Sequence, residues 1–223
     1  MMEKLAQTRR RQMDRALRWS LLLFVGFLIV TQQVLTNGPL VAYDKEINSQ
    51  PKPQFEGLAG FILRRLDDLG LRSLTATVLL IAASYIAYKF KTWRPLNLAM
   101  ISLLSLNLVV GSFKIVLGRT KPRDGFDLLH AGGMSYPSGH ASNAVLSWGI
   151  LAYLIYRYAK VDRYQGRLAS AGVVLISLTV CVVSLIRHTH WFSDLLGGLF
   201  VGSALLVAVI AIDRYVPSKS QLH

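Results

Sequence analysis

Six long apolar segments constrain the fold of this chain more than any other feature of its sequence. Each has about 20 residues, the length that an α-helix needs to cross a hydrocarbon core about 30 Å thick. Because lipid offers no hydrogen bonds to the backbone, each segment should be helical. The sequence therefore predicts an all-α, polytopic membrane protein, a six-transmembrane-helix bundle that forms a single domain over residues 1–223. The predicted spans are residues 17–35, 71–90, 96–117, 141–158, 168–186 and 191–212.

The net charge of +13 would by itself be compatible with nucleic-acid binding, but its distribution argues for a different origin. One side of the predicted bundle holds both termini and the loops near residues 89–94 and 157–167. That side carries 15 basic and 4 acidic residues, whereas the other side carries 10 and 8. By the positive-inside rule, both termini, including the basic segment 1–16, are expected in the cytoplasm of a multi-pass protein of the cell (inner) membrane. No nucleic-acid partner is predicted.

The arginines before the first apolar segment are also compatible with a secretory signal. The apolar run is long, however, and no clear small-residue cleavage site follows it. Its length favours an uncleaved first transmembrane helix.

The longest predicted outer segment, residues 36–70, opens with turn-forming residues and then becomes amphipathic. From Phe55 to Leu69, apolar residues recur at helical spacing with charged residues between them. This pattern predicts a short helix in the membrane interface, at a lip over which a lipid could enter. Alternatively, the same helix simply packs against the bundle.

Three polar clusters lie at the ends of the predicted spans, all on the extracytoplasmic side. The first holds Lys114, Arg119, Lys121 and Arg123 within ten residues. Cations of this density suit phosphate oxygens, and Arg adds a bidentate fork. The alternative is that these side chains extend to lipid headgroups at the interface.

The second cluster is the string Pro137-Ser138-Gly139-His140 at the start of the fourth span. Ser138 is a favourable N-cap, and the free N–H groups of the first helical turn, with Gly139 allowing close approach, form an anion site. His140 is then placed to donate a proton. An ordinary capped helix start with an incidental histidine is the simpler alternative, but the string is specific enough to disfavour it.

The third cluster contains His190 and Asp194, which are one turn apart if the segment is helical. A carboxylate at Nδ1 fixes the imidazole tautomer and leaves Nε2 free to attack. A metal site formed by His188, His190 and Asp194 is the competing interpretation. The surrounding cations disfavour it, so neither a metal nor another cofactor is predicted.

The order of these motifs resembles the type 2 phosphatidic acid phosphatase (PAP2) superfamily, and more narrowly its bacterial six-span lipid phosphatases that act on phosphatidylglycerophosphate or undecaprenyl pyrophosphate. The resemblance implies that His190 is the nucleophile and forms a phosphohistidine, that Asp194 orients it, and that His140 protonates the leaving group. It also implies a metal-independent reaction. The phosphate would be bound by Lys114, Lys121, Ser138 and the Gly139 N–H.

Two positions depart from the family pattern. Lys121-Pro122 replaces Arg-Pro in the first motif, and Ser184 occupies the position of an Arg six residues before the nucleophile. We predict that Arg187 binds phosphate in place of that Arg, because it lies three residues before His190. Arg119 or Arg123 is the alternative source of a guanidinium.

The leading hypothesis is therefore a membrane lipid phosphatase with an extracytoplasmic active site. A phosphotransferase that moves the phosphoryl group to another acceptor remains open, as does a divergent, catalytically weak lipid-binding or transport protein. The substrate could be phosphatidic acid, phosphatidylglycerophosphate or a polyprenyl pyrophosphate, and the oligomeric state is open. An ion transporter is disfavoured because the spans lack a carboxylate network.

Overall fold

A computed structural model describes residues 2–51, 53, 55–159 and 161–216, with side chains from residue 7 onward. Within these residues the chain is helical and contains no β-strand, so the all-α prediction is confirmed. Lys160 and the C-terminal segment 217–223, which entered the charge comparison, lie outside the described residues. The helices are α1 (Met2–Leu35), α2 (Pro39–Ser49), α3 (Gly57–Asp67), α4 (Arg72–Lys89), α5 (Arg94–Leu117), α6 (Gly139–Tyr158), α7 (Arg163–Ile186) and α8 (Phe192–Tyr215), with short 3₁₀ turns at 68–70 and 122–124.

Four described helical segments are long and apolar enough to cross a membrane: Gln7–Leu35, Arg94–Asp124, Arg163–Ile186 and Phe192–Tyr215. A fifth span is possible if Gly57–Gly70 and Arg72–Lys89, which meet at an angle of 56°, are taken together. The molecule is thus a membrane protein with four to five recognisable spans, and the count of six stays a prediction.

Helix α6 is not among the helices that are apolar enough to count as a span, either alone or joined to a neighbouring helix, and its position explains why. It packs against α4, α5, α7 and α8 and buries residues along most of its length. Because its neighbours shield it from lipid, it can carry Ser142, Asn143 and Ser147 among its buried residues. The polar composition of α6 therefore reflects an interior helix.

Close contact between α6 and α8 depends on two glycines of α8. A Cβ on Gly198 would lie 2.6 Å from the Ser138 carbonyl oxygen, and a Cβ on Gly202 would lie 2.9 Å from that of Ser142. Any larger residue would push the two helices apart. This contact brings the beginning of α6 next to the beginning of α8.

The segment between α1 and α4 folds into two helices, of which the sequence predicts one. Helix α3 occupies the predicted amphipathic region, with Leu58 and Phe61 74% and 50% exposed. Its Asp67 is buried at the end that packs on α7. Helix α2 is not predicted, because its sequence has no clear apolar face, and it packs on α1 and α8 with Val41 and Asp44 buried.

Candidate active site

The second and third motifs meet where α6 and α8 begin, next to the segment between α5 and α6. The imidazole rings of His140 and His190 have their centroids 6.1 Å apart. The Ser138 N–H donates to the Asp194 carbonyl oxygen at 2.9 Å, which ties the two helix starts to each other. Two histidines that are 50 residues apart in sequence thus face one small space.

His190 lies in the turn before α8, whereas Asp194 lies in the first turn of that helix. The assumption of a continuous helix through both residues is therefore wrong, although their contact is formed. Nδ1 of His190 is 3.4 Å from Oδ2 of Asp194, and the side chains are 6% and 0% exposed. The same oxygen accepts the Trp191 N–H at 3.0 Å and the Ser135 hydroxyl. The carboxylate thus caps α8 and orients the imidazole, which leaves Nε2 facing away from it.

Ser138 acts as the predicted N-cap of α6 and accepts the Ala141 N–H at 3.3 Å. The nearest side-chain atom to a Cβ built on Gly139 is Cε of Lys114, at 3.7 Å. The Lys114 ammonium donates to the carbonyl oxygens of Met134 and Ser135. A cation therefore lies beside the N-terminus of α6, in the arrangement predicted for an anion site.

Lys121 is half-buried, and its charge acts on both Lys114 and His140. It lies close enough to the site to add to its positive potential. Arg123 is exposed. Of the two, Lys121 is electrostatically part of the site.

Arg119 is completely buried, and protein groups accept all five N–H donors of its guanidinium. Its Nη1 donates to Asp194 at 2.8 Å and to the Ser193 hydroxyl at 2.6 Å. The prediction that Arg119 binds phosphate therefore finds no free donor in this geometry. The remaining donors bind Asp44 at 2.8 Å through Nη2, and Asp127 at 2.8 Å through Nε and 2.7 Å through Nη2. We call Arg119, Asp44, Asp127, Ser193 and Asp194 the Arg119 cluster.

Helix α2 enters this cluster through Asp44, whose carboxyl group accepts the Ser193 N–H at 2.8 Å and the Ser193 hydroxyl. Burial raises the pKa of Asp44 above its ordinary value, while the Arg119 charge opposes that rise. The rings of Tyr43 and Phe192 also meet edge to face at 5.5 Å. Helix α2 thus fixes the start of α8, and sequence reasoning gave no sign of this role.

Arg187, the predicted substitute for the missing family Arg, forms an ion pair with Asp67. Ser184 donates its hydroxyl to the other oxygen of the same carboxylate at 2.8 Å. A carboxylate from α3 therefore lies beside Ser184, where the family pattern would place a cation. The Arg187 side chain is 30% exposed and spends one N–H group on this pair. The turn after Asp67 abuts the first turn of α6, since a Cβ on Gly70 would lie 2.6 Å from the His140 carbonyl oxygen.

His188 is not directed at the other members of the proposed metal-ligand set. Its Nδ1 lies 2.7 Å from Oδ1 of Asn48 on α2. Among the described residues no group of three His, Cys, Asp or Glu side chains is arranged to hold a metal ion. The arrangement instead combines a histidine–carboxylate pair, a second histidine and a helix N-terminus with adjacent cations.

Comparison with known proteins identifies relatives of the whole bundle. The chain is 24% identical over 194 residues to phosphatidylglycerophosphatase B of Bacillus subtilis (strain 168), covering 87% of this chain and 94% of the relative. Its fold matches the crystal structure of the first transmembrane PAP2 type phosphatidylglycerolphosphate phosphatase from Bacillus subtilis, with a TM-score of 0.79 and 22% identity. That match covers 90% of this chain and 98% of the other. The profile of the PAP2 superfamily matches residues 74–217, a range that includes His140 and His190. The chain therefore belongs to the PAP2 superfamily.

Proposed function

We propose that this protein is an integral membrane lipid phosphatase that hydrolyses a phosphomonoester or pyrophosphate on a lipid. The observation that carries the proposal is the 6.1 Å approach of the His140 and His190 rings beside the N-terminus of α6. Membership of the PAP2 superfamily and the likeness to a phosphatidylglycerophosphatase support it. Candidate substrates are phosphatidylglycerophosphate, phosphatidic acid and polyprenyl pyrophosphates.

The first chemical step forms a phosphohistidine. The phosphate oxygens are bound by Lys114, Lys121 and the N–H groups around Ser138 and Gly139, which neutralise charge as the phosphoryl group transfers. The Nε2 lone pair of His190 attacks phosphorus while the bond to the leaving oxygen breaks. His140, in its protonated form, donates its proton to that oxygen.

The second step releases phosphate. A water molecule attacks phosphorus and gives its proton to His140, which is neutral after the first step. The nitrogen–phosphorus bond breaks, and the electron pair returns to Nε2 of His190. Asp194, at Nδ1, stabilises the positive charge that the ring carries in the intermediate.

Arg119 serves this mechanism as a positioning residue. With no free donor, it acts through Asp194, whose carboxylate it holds at 2.8 Å. Desolvated charges are held stably only when hydrogen bonds satisfy them, as they are in the Arg119 cluster. Arg187 is the arginine that binds phosphate in this proposal, because its ion pair with Asp67 leaves other N–H groups of its guanidinium available.

The proposed topology has six spans, cytoplasmic termini and an extracytoplasmic site. It is supported by the uneven distribution of basic residues and by the enclosure of α6 among apolar helices. A test uses single cysteines at exposed positions, Phe126 near the site and Tyr164 at the other end. A membrane-impermeant thiol reagent should label Phe126→Cys on intact cells and Tyr164→Cys only after permeabilisation. The opposite pattern would invert the topology, and buried Cys181 should give little background.

The chemical proposal is tested with His190→Asn and a matched variant, His130→Asn, which changes an exposed histidine outside the site. Inorganic phosphate release is measured for the purified proteins on a panel of the candidate lipids, with and without a chelator. Wild type and His130→Asn should release phosphate and, after rapid quenching with labelled substrate, carry acid-labile, alkali-stable phosphate. His190→Asn should do neither. Full turnover by His190→Asn would refute the assigned nucleophile.

A further inference from the structure

At the end of the bundle opposite the histidines, α6, α7 and α8 enclose a cleft of about 930 Å³. None of the proposed catalytic or phosphate-binding residues lines it. Near the histidines the helices meet around Ala141, Cys181 and Leu195, and α7 contacts α8 far less than it contacts α6. We call this space the α7 cleft. Its wall is largely apolar and includes Val145, Val174, Leu178, Leu199 and Leu206.

The cleft is long enough for a lipid tail. On α8 it extends from Leu199 to Arg214, which at 1.5 Å per residue is about 22 Å. Half of a hydrocarbon core is about 15 Å thick. An acyl chain can therefore lie along the apolar wall while its headgroup stays at the end of the bundle.

Three arginines line the α7 cleft at the end away from the histidines: Arg163, Arg167 and Arg214. The lining contains no Asp or Glu, and within the described residues no carboxylate forms an ion pair with any of the three. Two other arginines at the same end do have a carboxylate partner. Arg94 and Arg157 both bind the buried carboxylate of Asp213, Arg94 at 2.7 Å.

The positions of Arg163 and Arg167 are electrostatically unfavourable without a partner. Arg163 is the first residue of α7, where the helix dipole disfavours a cation. Arg167 follows at i+4, so that the like charges are neighbours on one helix face. The N-cap Asp162 accepts the Gln165 N–H at 2.8 Å and, within the described residues, forms no ion pair with Arg163 or Arg167. A local arrangement that breaks these rules is expected where a ligand supplies the missing charge.

We propose that the α7 cleft binds an anionic glycerophospholipid, with its phosphate on Arg163, Arg167 and Arg214 and one acyl chain along the apolar wall. Basic pockets between transmembrane helices bind anionic lipid headgroups in this manner. The proposal rests on the proposed topology, which puts these arginines in the cytoplasmic leaflet, but not on catalysis. The lipid is a phosphodiester and occupies the end of the bundle away from the histidines.

The test measures lipid binding to the purified, delipidated full chain in detergent, by native mass spectrometry and by the midpoint of thermal unfolding. The probes are phosphatidylglycerol, phosphatidylcholine with the same acyl chains, and inorganic phosphate. Wild type should retain phosphatidylglycerol in preference to phosphatidylcholine. Arg163→Gln/Arg167→Gln should bind phosphatidylglycerol roughly 10- to 30-fold more weakly. The matched variant Arg15→Gln/Arg18→Gln removes the same charge from exposed positions of α1 outside the cleft and should keep wild-type affinity.

Three outcomes would overturn the proposal. Wild type could bind both lipids equally, the cleft variant could keep its preference, or inorganic phosphate could raise the unfolding midpoint as much as phosphatidylglycerol, which would indicate a site for a free anion. If the double variant does not fold, Leu178→Trp, which fills the apolar wall, replaces it and should lower affinity for the lipid. Lipid phosphate hydrolysis is measured in parallel. Loss of hydrolysis with intact lipid preference would refute the proposed function alone.

Discussion

The Arg119 cluster and the Arg187–Asp67 pair contact the chain on either side of His190, and they use their guanidinium groups differently. Arg119 is fully buried and spends every donor on protein acceptors. Arg187 is 30% exposed and is paired with one carboxylate. The first arrangement fixes geometry, because no donor can turn toward a ligand. The second keeps donors for a ligand while Asp67 restrains the side chain.

The contrast is tested most strongly at Asp194, which links the Arg119 cluster to His190. Asp194→Asn keeps the shape of the side chain but removes the charge that holds the imidazole tautomer. By analogy with the loss of an orienting carboxylate in hydrolase triads, kcat should fall by about 10⁴ with little change in KM. Steady-state kinetics on the preferred lipid check this.

The matched control is Asp124→Asn, which alters an exposed acid that accepts the Lys121 N–H. It should leave kcat within a few-fold of wild type. A loss of less than about tenfold in Asp194→Asn would mean that His190 does not depend on this carboxylate for its orientation.

Arg119→Gln should have the next largest effect, and chiefly on stability. It removes the cation shared by three buried carboxyl groups, and breaking a buried ion pair costs about 3–5 kcal/mol of unfolding free energy. Chemical or thermal unfolding in detergent measures the change. Arg123→Gln, an exposed neighbour, should stay within about 0.5 kcal/mol of wild type.

The same variant separates positioning from phosphate binding. If Arg119→Gln kept the unfolding midpoint of wild type but raised KM strongly, Arg119 would be a phosphate ligand after all. A fall in both stability and kcat, with KM nearly unchanged in the folded fraction, is the result that the buried geometry predicts.

The sequence could predict that Ser138 caps α6 and that His190 contacts Asp194, because both relations are local. An N-cap depends on the next few residues, and a histidine four residues before an aspartate can reach it whether the segment is helical or a turn. Four of the predicted spans, those in α1, α5, α7 and α8, were equally accessible, since apolar length is a property of one segment. For these features the chain carries its own local signal.

The partners of the two arginines could not be predicted in this way. Asp44 is 149 residues from Ser193, and Asp67 is 117 residues from Ser184. No periodicity links such positions, because their contact exists only after α2 and α3 have packed on α8 and α7. For the same reason Arg119 looked like an available cation, although the fold surrounds it with acceptors.

Arg187→Gln should chiefly lower turnover and should reduce stability less than Arg119→Gln does. Removing one transition-state donor typically costs 10²–10³ in rate, so kcat/KM should fall by about that factor. The loss of stability should be smaller than in Arg119→Gln, because the Arg187 side chain is 30% exposed and Asp67 keeps the Ser184 hydroxyl as a donor. Kinetics and thermal unfolding are measured together, with Arg64→Gln on the exposed face of α3 as the control. If Arg187→Gln kept the kcat/KM of wild type, Arg187 would not be the substitute for the family Arg.

Asp67→Asn has the smallest expected effect, and it tests what Asp67 contributes to its pair with Arg187. The amide oxygen can still accept one hydrogen bond from Ser184 or Arg187, but the site gains one net positive charge. Phosphate binding should therefore tighten and KM should fall, while a less restrained Arg187 lowers kcat. KM and kcat should each change by about two- to tenfold, which corresponds to the free energy of one hydrogen bond.

A double-mutant cycle with Arg187→Gln decides whether Asp67 acts through Arg187. If it does, the kcat loss of Asp67→Asn should vanish in the Arg187→Gln background, because there is no guanidinium left to restrain. If the losses simply add, Asp67 affects the site independently, through the α3–α4 turn that abuts the His140 backbone. The cycle thus separates restraint of Arg187, the proposed phosphate ligand, from support of His140, the proposed general acid, two roles that the same carboxylate is placed to serve.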